Sequence, residues 1–467
     1  RDENSELLDL ERVVMKELPG EERIDSFIEF VKGYSREQAI AEAARCVDCE
    51  LCVEACPVNM DIPRYIESVF HDDTEEGANW IYKTNPLPSV CGRVCTHKCE
   101  TVCSIGNRGK PLAIRWLKRY IMDQEKTEDV IRYASNGEVV KKACGKVAII
   151  GAGPAGLSAA YYLSLMGYSA TIFESKALAG GVMRYGIPRY RLPDEALDKD
   201  IKVIESLGVE IKCLTTVGKD VTLEEIRDEY DAVFLGTGFS KGRSTGVEGV
   251  DSEGVIMAIP LLEKIRDYLR QGDGEKPPVT DSVIVIGGGN VAMDAARSVA
   301  RIQKMERNHI DVKVTSLESM EEMPADLEEI LEGKEEGIKY FPSRGPKEVL
   351  LKDGKIYGLK TIACTRVFDD DGRFNPRFDE SDLSTIEGTM IIEAIGQAPD
   401  YDFLPVEIKG EIQFIRGRIL VNEKGQTALA WLFAGGDIVN GPDIIHGVAD
   451  GHRAAIGIDE FLAGVKK

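Results

Sequence analysis

Eight of the eleven cysteines fall between positions 46 and 103. Their spacing is that of metal ligands rather than of a disulfide framework. The first array reads Cys46-x2-Cys49-x2-Cys52-x3-Cys56-Pro57. Loops this short let three thiolates converge on three corners of a [4Fe–4S] cube, while the fourth, just before proline, turns toward a different cluster. Zinc and disulfides are the competing readings. The second array, Cys91-x3-Cys95-x3-Cys99-x3-Cys103, repeats as it would on one face of a helical or turn-rich segment. Alone it fits zinc or iron; beside the first array, a second cluster is the better reading. Thiolate ligands also imply a reducing compartment, here the cytoplasm.

A second chemistry begins past these arrays. The run KVAII leads into Gly151-x-Gly153-Pro154-Ala155-Gly156 and then a helix-like stretch. Glycines there permit a sharp turn and let a pyrophosphate approach the free N–H groups of a helix N-terminus. About twenty residues later SATIFE ends at Glu174, an acceptor for a ribose 2′-hydroxyl. The unit is repeated by SVIVI, Gly287-Gly288-Gly289-Asn290-Val291 and a strand running out at Glu318. Two such sites are what a flavoprotein with a nicotinamide substrate needs. Near the C-terminus, WLFAGG ends at Gly436, and Asp437 follows, placed to bond a flavin ribityl or phosphate group. Thr237 and Gly238 close another strand, VFLGTG.

The elements that must position these residues fall into three zones. Residues 1–143 hold the cysteines among helix-like segments with no convincing strand. From Lys146 onward, apolar runs enter glycine turns, the mark of parallel α/β architecture. Polar, Gly/Pro-rich RQGDGEKPPVTD (270–281) reads as a crossing between domains, and DDDGRFNPRFDESD (369–382) as the way back. The expected architecture is α/β with an N-terminal helical iron–sulfur domain (1–143) and two Rossmann-like dinucleotide-binding domains. The first, for FAD, would span 144–281 and 387–467; the second, for NAD(P)H, would be inserted in it at 282–386.

At this point the motifs become specific. CVDCELCVEACPVNMDIP, CGRVC, KVAIIGAGPAG, GGVMRYGIPRYRLP, GGGNVAMDAAR, EMPAD and AGGD occur in order. Together they resemble the family of the glutamate synthase small subunit, the large subunit of NADH-dependent ferredoxin:NADP oxidoreductase and the N-terminal half of dihydropyrimidine dehydrogenase. The resemblance covers about residues 30–465. It implies one [4Fe–4S] cluster on Cys46, Cys49, Cys52 and Cys103, with Cys56, Cys95 and Cys99 holding three irons of another. FAD would lie on Gly151–Gly156, Glu174, Gly181, the segment from Arg184 to Pro188, Thr237 and Asp437. A hetero-oligomeric partner carrying a further flavin or iron–sulfur centre is implied. It could be a glutamate synthase large subunit or a ferredoxin-linked assembly with electron bifurcation.

Three departures stand out. Both cysteine spacings are shorter than in the commonest members. Relatives place Glu or Gln as the last cluster ligand where this chain has Lys118, which makes Cys91 either the natural substitute or a buried thiol. Relatives using NADPH carry paired arginines where this chain has Leu317-Glu318-Ser319, which favours NADH; against this, Arg297 or Arg301 could bind a phosphate.

Hydride transfer between nicotinamide and flavin needs stacking and orientation, so no catalytic acid, base or nucleophile is assigned. His446 reads as a helix-cap or packing residue beside the flavin. A disulfide reductase would need a Cys-x-x-Cys in the α/β part, where only Cys144, Cys213 and Cys364 occur, far apart. A non-catalytic electron-relay or scaffold subunit is the reading from another class, and intact glycines in both turns argue against it. Eighty acidic against 58 basic residues give a net charge of −22, which repels nucleic acid and anionic lipid. No apolar run is long enough for a membrane span, and the charged start is unlike a secretory signal.

Overall fold

The computed structural model describes residues 10–134, 145–272, 275–441 and 443–465; Cys144 lies outside them. Up to Ala134 the described chain is helical, with one isolated bridge between Glu17 and Val31. Ser35 and Gln38 close a capping box that starts helix Arg36–Ala43. Asp73 caps Thr74–Tyr82 by accepting the Glu76 N–H. Helix Ile114–Gln124 is buried along most of its length. Helix Pro88–Val94 lies on it almost backbone to backbone, because a β-carbon at Gly92 would stand only 2.9 Å from the Arg119 Cα.

The remainder is built on two five-stranded parallel sheets. The first runs in the order Leu432–Ala434, Ala232–Leu235, Lys146–Ile150, Ser169–Phe173, Glu210–Lys212. The second runs Val255–Met257, Met390–Glu393, Val283–Ile286, Val312–Thr315, Lys339–Phe341. Each central strand is apolar and buried, as a strand covered on both faces must be. Each also has its sequence successor on one side and a later strand on the other. That reversal of order opens a crevice at the strand's C-terminal end, where the glycine turn sits.

Sheet membership moves the expected boundaries. Strands Val255–Met257 and Met390–Glu393, both assigned above to the flavin domain, pair inside the second sheet. The chain crosses between the sheets instead at two short antiparallel segments, Lys241–Gly242 and Gln397–Ala398. The described residues 275–281 after helix Ala258–Gln271 are irregular chain leading into strand Val283–Ile286 of the second sheet, so no domain border falls there. The polar stretch at 369–382 is not a linker either. It belongs to an antiparallel sheet of Arg344–Lys352, Lys355–Phe368 and Phe374–Glu387, whose last strand is exposed along most of its length.

Candidate functional site

The helical domain gathers seven of the eight clustered cysteines around two cavities. Cys46, Cys49, Cys52 and Cys103 line the outer one, together with Glu50 and Ser104. Cys56, Cys95 and Cys99 line the inner one, with Arg115 and Lys118. Ile114 borders both. Helix Ile62–Phe70 completes the partition, turning Pro63 and Ile66 to the outer cavity and Ile62 and Tyr65 to the inner. Left-handed backbone at Asp48, Glu50 and His97 bends the cysteine loops inward. Such conformations cost about 1 kcal/mol or more in non-glycine residues and persist where a site needs them.

The second cysteine array therefore does not present one common face. Its members divide between the two cavities, and Cys91 reaches the wall of neither. It is fully buried on helix Pro88–Val94, held in place by the close packing at Gly92.

Burial pushes the thiols of Cys46, Cys95 and Cys99 above their ordinary range, and that of Cys52 to about 12, with repulsion from Cys46 and Cys49 adding to it. Exposed Cys49 goes the other way. Against its slight burial, the Ser104 hydroxyl donates to its sulfur at 3.2 Å and backbone N–H groups assist. Crowded, desolvated thiols of this kind favour a metal centre that supplies positive charge and displaces their protons. Among the described residues no three His, Cys, Asp or Glu side chains converge tightly enough for a single metal ion. Thiols spread around a cavity suit a polynuclear cluster better than the short bonds of zinc.

In the first sheet, Gly151 adopts φ +100°, and a β-carbon there would stand 2.7 Å from the Gly236 carbonyl oxygen. A β-carbon at Gly156 would overlap the Gly151 carbonyl. Helix Pro154–Leu165 starts at Gly153 with no side-chain cap, leaving its first N–H groups for an anion. Both Glu174 carboxylate oxygens are engaged, one by the Ala152 N–H at 2.9 Å and one by the Lys176 N–H at 2.8 Å. Gly181, φ +53°, brings its loop back against Gly153. The buried Thr237 hydroxyl has no hydrogen-bond partner among the described residues, as expected of a group awaiting a ligand. Gly238 follows it in left-handed backbone, and the Gly436 N–H is bonded to Asp450 at 2.9 Å. These features fit a dinucleotide pyrophosphate and ribityl chain. Arg184 cannot join them, because its guanidinium is committed to the Ala179 carbonyl, Asp194 and Asp198.

In the second sheet, helix Asn290–Arg307 also begins uncapped, at Gly289, and open space faces that glycine. The Asn290 side chain is already spoken for, exchanging hydrogen bonds with Asp326, while the Ala325 N–H binds the Gly288 carbonyl at 3.0 Å. The EMPAD segment thus buttresses the turn. Glu318 lies three residues past strand Val312–Thr315, its carboxylate so close over Gly288 that a β-carbon there would stand 2.8 Å from it. Arg297 and Arg301 are fully buried and paired with Glu336 at 2.7 Å, so neither can meet a phosphate.

Between the two turns lies a cleft lined by Val291 and Ala394 from the second unit, Phe239 and Asp437 from the first, and Arg243 and Arg418. Burial raises the Asp437 carboxyl, opposed by Arg418. Sequence reasoning missed Arg418, Asp326 and Asp443. Asp443 accepts from the Thr96 hydroxyl at 3.1 Å and contacts His446 Nδ1 at 2.6 Å. It ties the inner-cavity loop to helix Ile444–Val465, whose Ile445 lines that cavity. His446 is thus a capping partner.

One glycine-turn unit carrying another inside it, joined through a two-stranded crossing, defines a two-dinucleotide oxidoreductase. Residues 145–451 match the pyridine nucleotide-disulphide oxidoreductase family, and residues 23–130 match the 4Fe-4S domain described as dihydropyrimidine dehydrogenase domain II. The chain belongs to this family of NAD(P)H-dependent oxidoreductase subunits with an iron–sulfur domain. It is 32% identical to the NADPH glutamate synthase small chain of Escherichia coli K12, over 98% of each chain. It is 38% identical to the beta subunit of the NADP(+)-dependent formate dehydrogenase of Moorella thermoacetica, covering 88% of this chain but 60% of that one. The chain thus spans well under two thirds of that relative. Among solved structures, Mycobacterium tuberculosis FprA in complex with NADPH shares the fold at a TM-score of 0.59 and 17% identity, over 69% of this chain and 85% of that one. Of the described cysteines outside the helical domain, Cys213 follows strand Glu210–Lys212 of the first sheet and Cys364 lies in strand Lys355–Phe368 of the antiparallel sheet, so these two form no redox pair despite the family's name. Among the described residues no helix is long and apolar enough to cross a membrane.

Proposed function

We propose that this chain takes hydride from a nicotinamide dinucleotide, NADH in preference to NADPH, onto FAD resident at the first glycine turn. Electrons then leave singly through two iron–sulfur clusters to a partner subunit. Flavin accepts an electron pair as hydride and releases it in single steps, which iron–sulfur clusters can carry. The observation carrying this reading is continuity. The dinucleotide cleft reaches Asp437, helix Ile444–Val465 follows, Ile445 lines the inner cavity, Ile114 is shared with the outer one, and Cys49 is exposed.

The chain's own part is to bind and orient. Uncapped helix N-termini attract the pyrophosphates, Thr237 and Asp437 offer polar contacts to the flavin, and the Thr96–Asp443 bond fixes its distance from the inner cavity. Glu318 favours NADH, because a carboxylate beside Gly288 accepts from a ribose hydroxyl and repels a 2′-phosphate. The similar relatives named for NADP(+) or NADPH make this the sharpest test. The exposed end of the route, at Cys49, is where a partner with a further flavin or iron–sulfur centre would receive electrons.

Anaerobically purified protein should carry flavin, iron and sulfide, and stopped-flow mixing should bleach the flavin faster with NADH than with NADPH. Zinc in place of iron, absence of flavin, or flavin that neither nucleotide bleaches would overturn the proposal. Purification of the native complex should yield the partner.

A further inference from the structure

The inner cavity differs from the outer in one respect that the cysteine count hides. Four thiols wall the outer cavity; three wall the inner, and the remaining side is occupied by Lys118. Lys118 comes from helix Ile114–Gln124, is only 6% exposed, and makes no salt bridge with any described carboxylate. Lys118 shares the cavity wall with Cys56, Cys95 and Cys99, and Cys91 lies close enough to interact with it. A buried ammonium without an anion is strongly unfavourable, so the site must supply negative charge. An ammonium has three donors and no acceptor, so it can pair with thiolates and sulfide but cannot bind iron.

Two other candidates for a fourth ligand are His97, which lines the cavity with its Nδ1 engaged 3.1 Å from the Cys95 carbonyl oxygen, and Cys91. Cys91 is completely buried and does not line the cavity; it interacts with Lys118 and Cys95 across the intervening wall and with Asn85. Its helix cannot shift toward the cavity without moving against Ile114–Gln124, since Gly92 already packs against the Arg119 backbone.

Building on the iron–sulfur reading above, we infer that this chain gives the inner cluster only three ligands, Cys56, Cys95 and Cys99. Lys118 stands over the fourth corner as a countercharge, and Cys91 is a structural thiol. The iron at that corner has no side-chain ligand and is the one that leaves on mild oxidation. It departs as Fe2+, the core passes from [4Fe–4S]2+ to [3Fe–4S]+, and the electron released is taken by ferricyanide. The four-thiolate outer cluster resists the same treatment.

The test uses the full chain, purified anaerobically, with iron and sulfide measured first; their absence refutes the iron–sulfur reading itself. Given both clusters, limiting ferricyanide should produce the paramagnetic signal of a three-iron cluster from one of the two. Cys91→Ala should leave that signal and the iron content unchanged. Lys118→Cys, which restores a ligand, should abolish the signal without loss of iron, and Lys118→Met should keep it. The inference falls if the wild-type chain yields no three-iron signal, or if Cys91→Ala removes the inner cluster. It also falls if Lys118→Cys oxidises as the wild type does. Should Lys118→Cys fail to fold, the wild-type signal and the Cys91→Ala result still decide.

Discussion

The two glycine turns share a design and differ in what closes over them. In the first, Glu174 already holds backbone N–H groups with both oxygens, the Gly181 loop folds back on the turn, and helix Ile444–Val465 packs along Pro154–Leu165. In the second, Glu318 makes no side-chain hydrogen bond to a described residue, Gly289 faces open space, and Val291 lines a cleft. The acidic residue of the first unit helps to build its turn, while that of the second is left to meet a ligand. An enclosed turn suits a resident cofactor, and an open one suits a substrate that must come and go.

Alanine at the tightest glycines should separate the two roles most sharply. In Gly156→Ala the added methyl overlaps the Gly151 carbonyl, and flavin should fall to trace amounts. In Gly287→Ala, at φ +145° and against the Ala394 carbonyl, flavin content should stay near wild type while its reduction by NADH is lost. Absorbance of the purified chains and stopped-flow bleaching read the pair; equal flavin loss in both would erase the distinction between the turns.

Glu318→Ser tests the open carboxylate alone. Hydrogen bonds to a charged group contribute about 1.5–3 kcal/mol, so the half-saturating NADH concentration should rise about tenfold or more. Preference over NADPH should shrink, and flavin content should not change. An unaltered NADH/NADPH ratio would mean that Glu318 faces solvent. Glu174→Ser should instead lower flavin content, because Glu174 supports its own turn.

How much of this was legible depended on range. Spacing within one loop or one strand–turn–helix unit carries its geometry with it, so the first cysteine array, both glycine turns and the α/β class could be read directly, whereas the second array's division between two cavities could not. Contacts that join distant segments could not. Nothing local says that Arg184 pairs with Asp194 and Asp198, that Asn290 is tied to Asp326, or that Cys91 stays out of the wall that Cys95 lines. Strand Met390–Glu393 has the composition of any buried strand, so its sheet could not be chosen from sequence. Strand Phe374–Glu387 is mostly exposed, so its residues read as a polar loop.

The two units are also fastened to the N-terminal region by different seams. The second is joined through Arg23, Arg297 and Arg301 around Glu336, whose carboxyl Arg297 and Arg301 hold down at about 2 despite its burial. The first is joined through Asp200, which accepts the N–H groups of Ser89 and Val90; burial pushes its carboxyl up to about 7. The two seams should therefore respond to pH with opposite sign. Glu336 binds its proton less tightly in the folded chain than in the unfolded one. Its contribution is present above the ordinary glutamate value of about 4.3 and is lost as pH falls toward about 2. Asp200 binds its proton more tightly when folded. Its contribution is complete below about 3.9 and is lost as pH rises through about 7. Relative to Asp200→Asn, the wild type should lose on the order of a few kcal/mol of stability between about pH 4 and about pH 7. Paired anaerobic melts across that range measure it, and a wild-type-minus-variant difference that stays flat would mean Asp200 is not titrating at this seam.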